Sequence, residues 1–266
     1  MLDQGDIQGT RPITSRLLKG GALLSDMRQL VIAAAQDPQV SESAQAARRA
    51  LTKTTAARAG AINKLVFRPR FVRGSPPEAW RLAAVVESFA PDQSLVRPFY
   101  YWITARAEPI LYDFVTGELF ARLGAADREV RIDEVLTWIE GRLRHAGKRW
   151  TPAVRRKVAR GVLAALRDFG LLEGASRKRL AAFHLAPEAF ALIAFLVRGM
   201  GAEGGRLLAH PDWRLFLLSE TAVERLLLEC HQRHWLRYQV AGAIHRVEFP
   251  EMSFEEYAHE LLGQGN

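Results

Sequence analysis

At 266 residues, 48% hydrophobic and 25% charged with a formal charge of +8, the chain is long enough for one or two cored domains and has the composition of an ordinary globular protein. No apolar run approaches the roughly 18 residues of a membrane span, and the N-terminal MLDQGDIQGTRP lacks the apolar stretch of a signal peptide. The single Cys230 excludes an internal disulfide. A cytoplasmic protein without membrane insertion is expected, and because Leu, Ala, Arg and Glu dominate while strand-forming runs are scarce, its fold should be mainly α.

Residues 1–15 read as a flexible polar arm. Residues 16–124 read as an N-terminal helical region, interrupted at Pro76-Pro77, Pro91, Pro98 and Pro109. A helix is predicted from Asp26 to Ala35 and broken by Asp37-Pro38. Ser41 can cap the next helix, with Ala44, Ala47 and Leu51 on its inner face, and a third helix would hold Ile62, Leu65 and Val66. From Ser43 to Pro77 there are eight Lys or Arg and no acid. Arg48, Arg49, Lys53 and Arg58 are candidate DNA contacts if these short helices form a first helix-turn-helix. A small bundle whose arginines meet an acidic patch is the equal alternative. The aromatic stretch Phe99, Tyr100, Tyr101, Trp102, Tyr112 and Phe114 is expected to pack in the core. Glu108, Asp113 and Glu118 make no catalytic set on spacing alone.

Residues 127–198 read as a winged helix-turn-helix region, and within it Trp150 to Leu185 is the most informative stretch. Ile132, Val135, Leu136, Ile139 and Leu143 follow the spacing of a one-sided helix, with Asp133 in its first turn and Arg142, Arg144 and His145 in its last. Gly147 permits a turn, and Trp150 suits an apolar plug. Thr151-Pro152 then caps and starts a second helix that stops at Gly170. On this helix Val154, Val158, Val162, Ala165 and Phe169 share one stripe, while Arg156, Arg160 and Arg167 lie almost opposite with Lys157 on their flank and Arg155 at the stripe's edge. A short strand at Leu171-Leu172, a basic tip with Arg177, Lys178 and Arg179, and a second strand from Leu180 to Leu185 are expected to follow. Helix, turn, helix and small β-wing is the element order of a winged helix-turn-helix, whose second helix enters the major groove. Arginine forks there can meet phosphates and guanine edges. A merely solvated charged face is the bland alternative for the helix alone.

Beyond the link Gly199-Met-Gly-Ala-Glu-Gly-Gly205, residues 206–266 read as a C-terminal helical region, with a long helix from about Glu220 to Leu236 and a last one from Phe254 to Leu262. Gly199, Gly201 and Gly204 match a dinucleotide fingerprint in spacing but lack the strand before and the helix after. Cys230 and His234 would share a helix face beside His231, yet a zinc site wants further ligands at characteristic spacing, and structural roles are favoured. No cofactor, metal or enzymatic motif emerges.

From Arg142 to Arg179 there are twelve Lys or Arg against two acids. With the eight of the N-terminal segment, these two stretches hold a charge of +18 in a chain of +8, so the remainder carries −10. Segregated positive charge points to a polyanion, with DNA or RNA ahead of an anionic membrane surface.

The segments TSRLLKGGALLSDMRQLV, ARAEPILYDFVTGELFARL and LRDFGLLEG, in this order, resemble the BrxA family, core proteins of BREX bacteriophage-exclusion systems. The resemblance runs from about Thr14 to Leu262, although the basic hairpin and C-terminal region make the chain longer than the family leads one to expect. It implies a mainly helical cytoplasmic protein that binds double-stranded DNA through arginine-rich helix-turn-helix surfaces, with other BREX subunits as further partners. Arg156, Lys157 and Arg160 on the second helix fit those surfaces, with Lys148 and Arg149 in the turn; Arg48, Arg49, Lys53 and Arg58 fit a second site. The expected function is therefore a non-enzymatic DNA-binding component of phage defence. A winged-helix transcription regulator and a basic scaffold that docks protein or RNA are the alternatives. A monomer is slightly favoured over an oligomer.

Overall fold

The computed structural model describes residues 12–51, 55–89, 93–124 and 128–263, and over these the chain is mainly α-helical with two small antiparallel hairpins. A 3-10 turn at Arg16–Lys19 precedes α1 (Leu24–Gln36), which buries Met27, Leu30, Val31 and Ala34 at helical spacing. Two short helices follow, α2 (Gln39–Glu42) and α3 (Ala44–Ala50). Ser43, not Ser41, caps α3 by accepting from the Ala46 amide at 3.4 Å. Ser41 instead lies buried in α2 and donates to the Pro38 carbonyl. The breaker Asp37-Pro38 thus starts a one-turn helix of its own, which shifts the cap by two residues.

Helix α4 (Ala56–Ile62), capped by Thr55, runs on as a π-helical stretch at Asn63–Val72. Then come α5 (Ala79–Phe89), α6 (Gln93–Ala107), α7 (Pro109–Asp113) and a second π-helical stretch at Phe114–Leu119. All six members of the aromatic stretch are buried, as core packing requires. Helix α6 is the hub, in contact with α5, α7 and later helices.

Two buried ionic centres flank the end of α6. Arg70, one of the eight cations counted between Ser43 and Pro77, is completely buried and pairs with buried Glu108 at 2.9 Å. It also donates to the carbonyls of Gly21 and Gly20, at 2.9 and 3.4 Å. Arg16 reaches the same carboxylate and the Ala107 carbonyl. Asp212 accepts from Trp102 and Tyr112, each at 2.8 Å, and pairs with Arg106. Buried charges are tolerable only when paired and hydrogen-bonded in this way.

The second half holds α8 (Ile132–His145), α9 (Pro152–Asp168), a hairpin of β1 (Leu172–Glu173) with β2 (Arg179–Leu180), α10 (Pro187–Gly199), α11 (Gly205–Leu208), a 3-10 turn at Pro211–Phe216, and α12 (Glu220–Gln232). A second hairpin, β3 (Arg237–Ala241) with β4 (Ile244–Glu248), and α13 (Phe254–Gly263) complete it. The helix expected to reach Leu236 stops at Gln232, because His234 adopts a left-handed conformation at φ 62°. Cys230 and His234 therefore do not share a helix face. The hairpin that follows was not expected in a purely helical C-terminal region. One hydrophobic cluster runs from Ile13 to Leu261. Among the described residues, no helix is long and apolar enough to cross a membrane, and no group of three His, Cys, Asp or Glu is placed to hold a metal ion.

Candidate nucleic-acid interface

The α8–α9 pair is built from local signals that agree. Ahead of α8, the Arg131 amide donates to Glu134 at 3.0 Å, and Asp133 and Glu134 sit in the first turn where the helix dipole favours them. Thr151 caps α9 by accepting from the Val154 amide, with Pro152 in the first helical position. Both helices end in the same Schellman arrangement. Gly147 and Gly170 take left-handed φ of 63° and 85°. The next amides, Lys148 and Leu171, reach back to Leu143 and Leu166 at 2.9 and 2.8 Å. Glycine is the residue that adopts this conformation without penalty.

Burial decides which face of α9 is free. Val158, Ala159, Gly161, Val162, Leu163, Ala165 and Leu166 are buried. At 100° per residue these cover an arc of about 200°, far wider than the apolar stripe alone. The extra coverage comes from the segment around the 3-10 turn at Arg16–Lys19, which crosses α9 at Gly161. The remaining arc is the one that carries Arg156, Lys157, Arg160 and Arg167, all exposed. Among the described residues, no carboxylate lies within ion-pairing distance of Arg156, Lys157 or Arg160.

The hairpin extends this face. Leu172 pairs with Leu180 and Glu173 with Arg179, and Glu129 bridges to Arg179 on the other side, so the segment before α8 is stitched to β2. The Val130 amide donates to the Lys178 carbonyl at 2.8 Å and the Leu180 amide to the Arg128 carbonyl at 2.9 Å. Pairing ends at Leu180 rather than running to Leu185; only the Ala181 amide, bonded to the Leu171 carbonyl, continues it. Gly174 makes the tip possible, since a Cβ there would fall 2.0 Å from the Arg177 carbonyl oxygen. A groove of about 520 Å³ opens between α9, the hairpin and the start of α8, lined by Arg160, Arg167, Ser176 and Lys178 and by the acids Glu129 and Asp133.

The candidate cations do not share one fate. Arg149 and Arg177 are exposed, as is Arg179. Arg167 is half exposed and pairs with its neighbour Asp168 at 2.8 Å. Lys178 donates to the Ala175 carbonyl within the tip. Arg155 is drawn to Glu140 of α8, and Lys148 donates to the Ile13 carbonyl at 2.9 Å. Arg142 is held by Asp113. In the N-terminal half, Arg48, Arg49 and Arg58 are exposed on α3 and α4, which pack on each other and on α1 and the first π-helical stretch. Lys53 lies outside the described residues. Arg144, exposed in the last turn of α8, was noted in the sequence only for its dipole position.

A second helix–hairpin unit offers a contrast. Ser219 caps α12, left-handed His234 ends it with the Trp235 amide on the Cys230 carbonyl at 3.0 Å, and β3–β4 follows. Its cations are largely answered. Arg233 pairs with Glu188 and Glu229, and Arg237 and Arg246 both meet Glu248.

The family model for BrxA matches residues 12–196, about seven-tenths of the chain and the whole of the α8–α9–hairpin unit. The chain belongs to the BrxA family. Membership in BrxA makes it a component of BREX-type phage defence. No curated protein matches the chain. Among solved structures, a magnesium ion-bound SspB is similar to this BrxA-family chain at a TM-score of 0.61 and 12% identity, over 98% of this chain and 90% of SspB. A second SspB structure gives 0.57 and 10%, over 97% and 88%. At such identities the likeness is one of fold, and it extends through the C-terminal region that the BrxA model leaves unmatched.

Proposed function

We propose that this BrxA-family protein is a non-enzymatic DNA-binding component of its defence system, acting in the cytoplasm and contacting duplex DNA through α9 and the β1–β2 hairpin as a winged helix-turn-helix. The observation that carries this is the match between the free arc of α9 and the arc of its cations. The helix is buried on every side except the one bearing Arg156, Lys157, Arg160 and Arg167. The guanidinium groups of Arg156 and Arg160, with no carboxylate in ion-pairing distance among the described residues, suit phosphates and guanine edges in the major groove. Arg149 in the turn and Arg177 at the hairpin tip would add backbone contacts that position the protein without reading sequence. The charge-balanced α12 unit gives no comparable surface.

The test is duplex binding titrated with salt, wild type beside Arg156→Ala/Arg160→Ala. Wild-type affinity should fall steeply with salt, and the double variant should lose about 1–3 kcal/mol for each base contact removed while its unfolding midpoint stays put. Equal affinity in the folded double variant would move DNA off α9. Because one SspB structure of similar fold holds a magnesium ion, a supercoiled plasmid incubated with this protein and magnesium is the check on the non-enzymatic part. It should remain supercoiled, and nicking or cleavage would overturn that part.

A further inference from the structure

Lys148 sits in the α8–α9 turn, where a DNA-binding reading places a phosphate contact. Its ammonium group is already engaged, donating at 2.9 Å to the carbonyl of Ile13, a residue that is itself buried. Ile13 begins a segment that crosses the second helix at Gly161 and reaches Ala165. The Leu17 backbone passes so close to α9 that a Cβ on Gly161 would fall 2.3 Å from the Leu17 carbonyl oxygen. Gly21 also approaches the Ala165 backbone, less closely, with a Cβ there 2.9 Å from the Ala165 nitrogen. The far end of the segment is clamped from below. Arg70 donates to the carbonyls of Gly20, Gly21 and Ala22, and is itself fixed by Glu108. Arg16 ties the middle to Glu108 and the Ala107 carbonyl.

We infer that residues 13–22 form a strap that sets the orientation of α9, and that Lys148 is a positioning residue which latches the strap to the α8–α9 turn. The buried Arg70–Glu108 pair thereby reaches the DNA-facing surface mechanically. Glu108 holds Arg70, Arg70 holds the strap's carbonyls, and the strap wedges against the two small residues Gly161 and Ala165. A strap this close to a helix backbone is possible only with no side chain at Gly161, which accounts for a glycine in a helix interior where it otherwise costs stability. The consequence for DNA rests on the reading of α9 proposed above; the strap itself does not.

Two variants of the full chain separate these levels, Lys148→Met and Gly161→Ala, with Arg149→Ala as the comparison one residue from the latch. Hydrogen exchange is measured without DNA and duplex affinity across salt. Both strap variants should speed exchange over residues 13–22 and the first turns of α9, and Arg149→Ala should not. Lys148→Met should weaken duplex binding by roughly three- to tenfold, up to the scale of one charge-assisted hydrogen bond, with the salt slope unchanged. Arg149→Ala should lower that slope by about one phosphate contact. A slope that falls in Lys148→Met as it does in Arg149→Ala would make Lys148 a phosphate ligand and overturn its positioning role. Unchanged exchange in both strap variants would overturn the strap. If wild type binds no duplex, the DNA reading fails, and the exchange arm still decides the strap.

Discussion

Arginine has two opposite uses here, and burial separates them. Arg156 keeps its guanidinium in water on the open arc of α9, whereas Arg70 is sealed with Glu108 in the core. In the sequence both sit in basic runs, so charge counting treats them alike. The distinguishing signal is spacing, since Ile62, Val66 and Arg70 recur every four residues and place Arg70 on the apolar face of its helix. Arg70→Met leaves Glu108 buried with only the partly exposed Arg16 as partner. It should cost about 3 kcal/mol or more by urea unfolding, against less than about 0.5 kcal/mol for Lys64→Met on the exposed side of the same stretch. Cys230 illustrates the same control on a thiol. Burial first, and then nearby Glu229, pushes its pKa up to about 12. Native protein at pH 8 should therefore leave a thiol reagent unreacted until it is unfolded; prompt labelling of folded protein would show that the site opens readily.

At the scale of elements, α8 and α9 were legible because periodicity, caps and stop residues agree within each helix. Val135, Ile139 and Leu143 are buried on one, and Val158, Val162, Ala165 and Phe169 on the other, as their spacing requires. The strap was not legible. Its contacts with α9 join residues 144 apart in the chain, Leu17 with Gly161 and Gly21 with Ala165, and no local period records that Gly161 faces Leu17. The second hairpin did leave a trace. Tyr238 and Val240 alternate with polar residues ahead of an Ala-Gly-Ala turn, but the run follows an α-helix without a proline, and the helical period masks it. The stop of α9 is the element on which the hairpin's direction depends. Gly170 holds φ at 85°, and a Cβ there has room, with Arg97 no nearer than 3.6 Å. Gly170→Ala should thus cost about 1 kcal/mol from backbone strain rather than collision, seen as a lowered Tm. Gly174→Ala, which meets the Arg177 carbonyl as well, should disrupt the tip and weaken any DNA contact that the hairpin makes.

Over the whole molecule, positive charge gathers on two stretches while acids line the interior joints and the C-terminal helices, and one of those joints makes stability depend on pH. Asp212 lies in the 3-10 turn between α11 and α12 and ties the C-terminal region to α6 and α7. Burial opposes its ionisation, yet Arg106, His210 and the Tyr112 hydroxyl outweigh burial and hold the carboxyl below its ordinary range. A depressed folded-state pKa means that the unfolded chain takes up the proton first as pH falls. The pair's contribution is therefore complete above the unfolded value near 4 and is lost below it, down through the folded value. Asp212→Asn keeps the shape but leaves Arg106 without its carboxylate. It should be less stable than wild type at pH 7, on the order of 3 kcal/mol, and the gap between the two proteins should narrow as pH is lowered from 5 toward 2. Chemical unfolding of both proteins across that range measures the gap directly, and a constant difference would mean that Asp212 holds the C-terminal region by its hydrogen bonds to Trp102 and Tyr112 rather than by its charge.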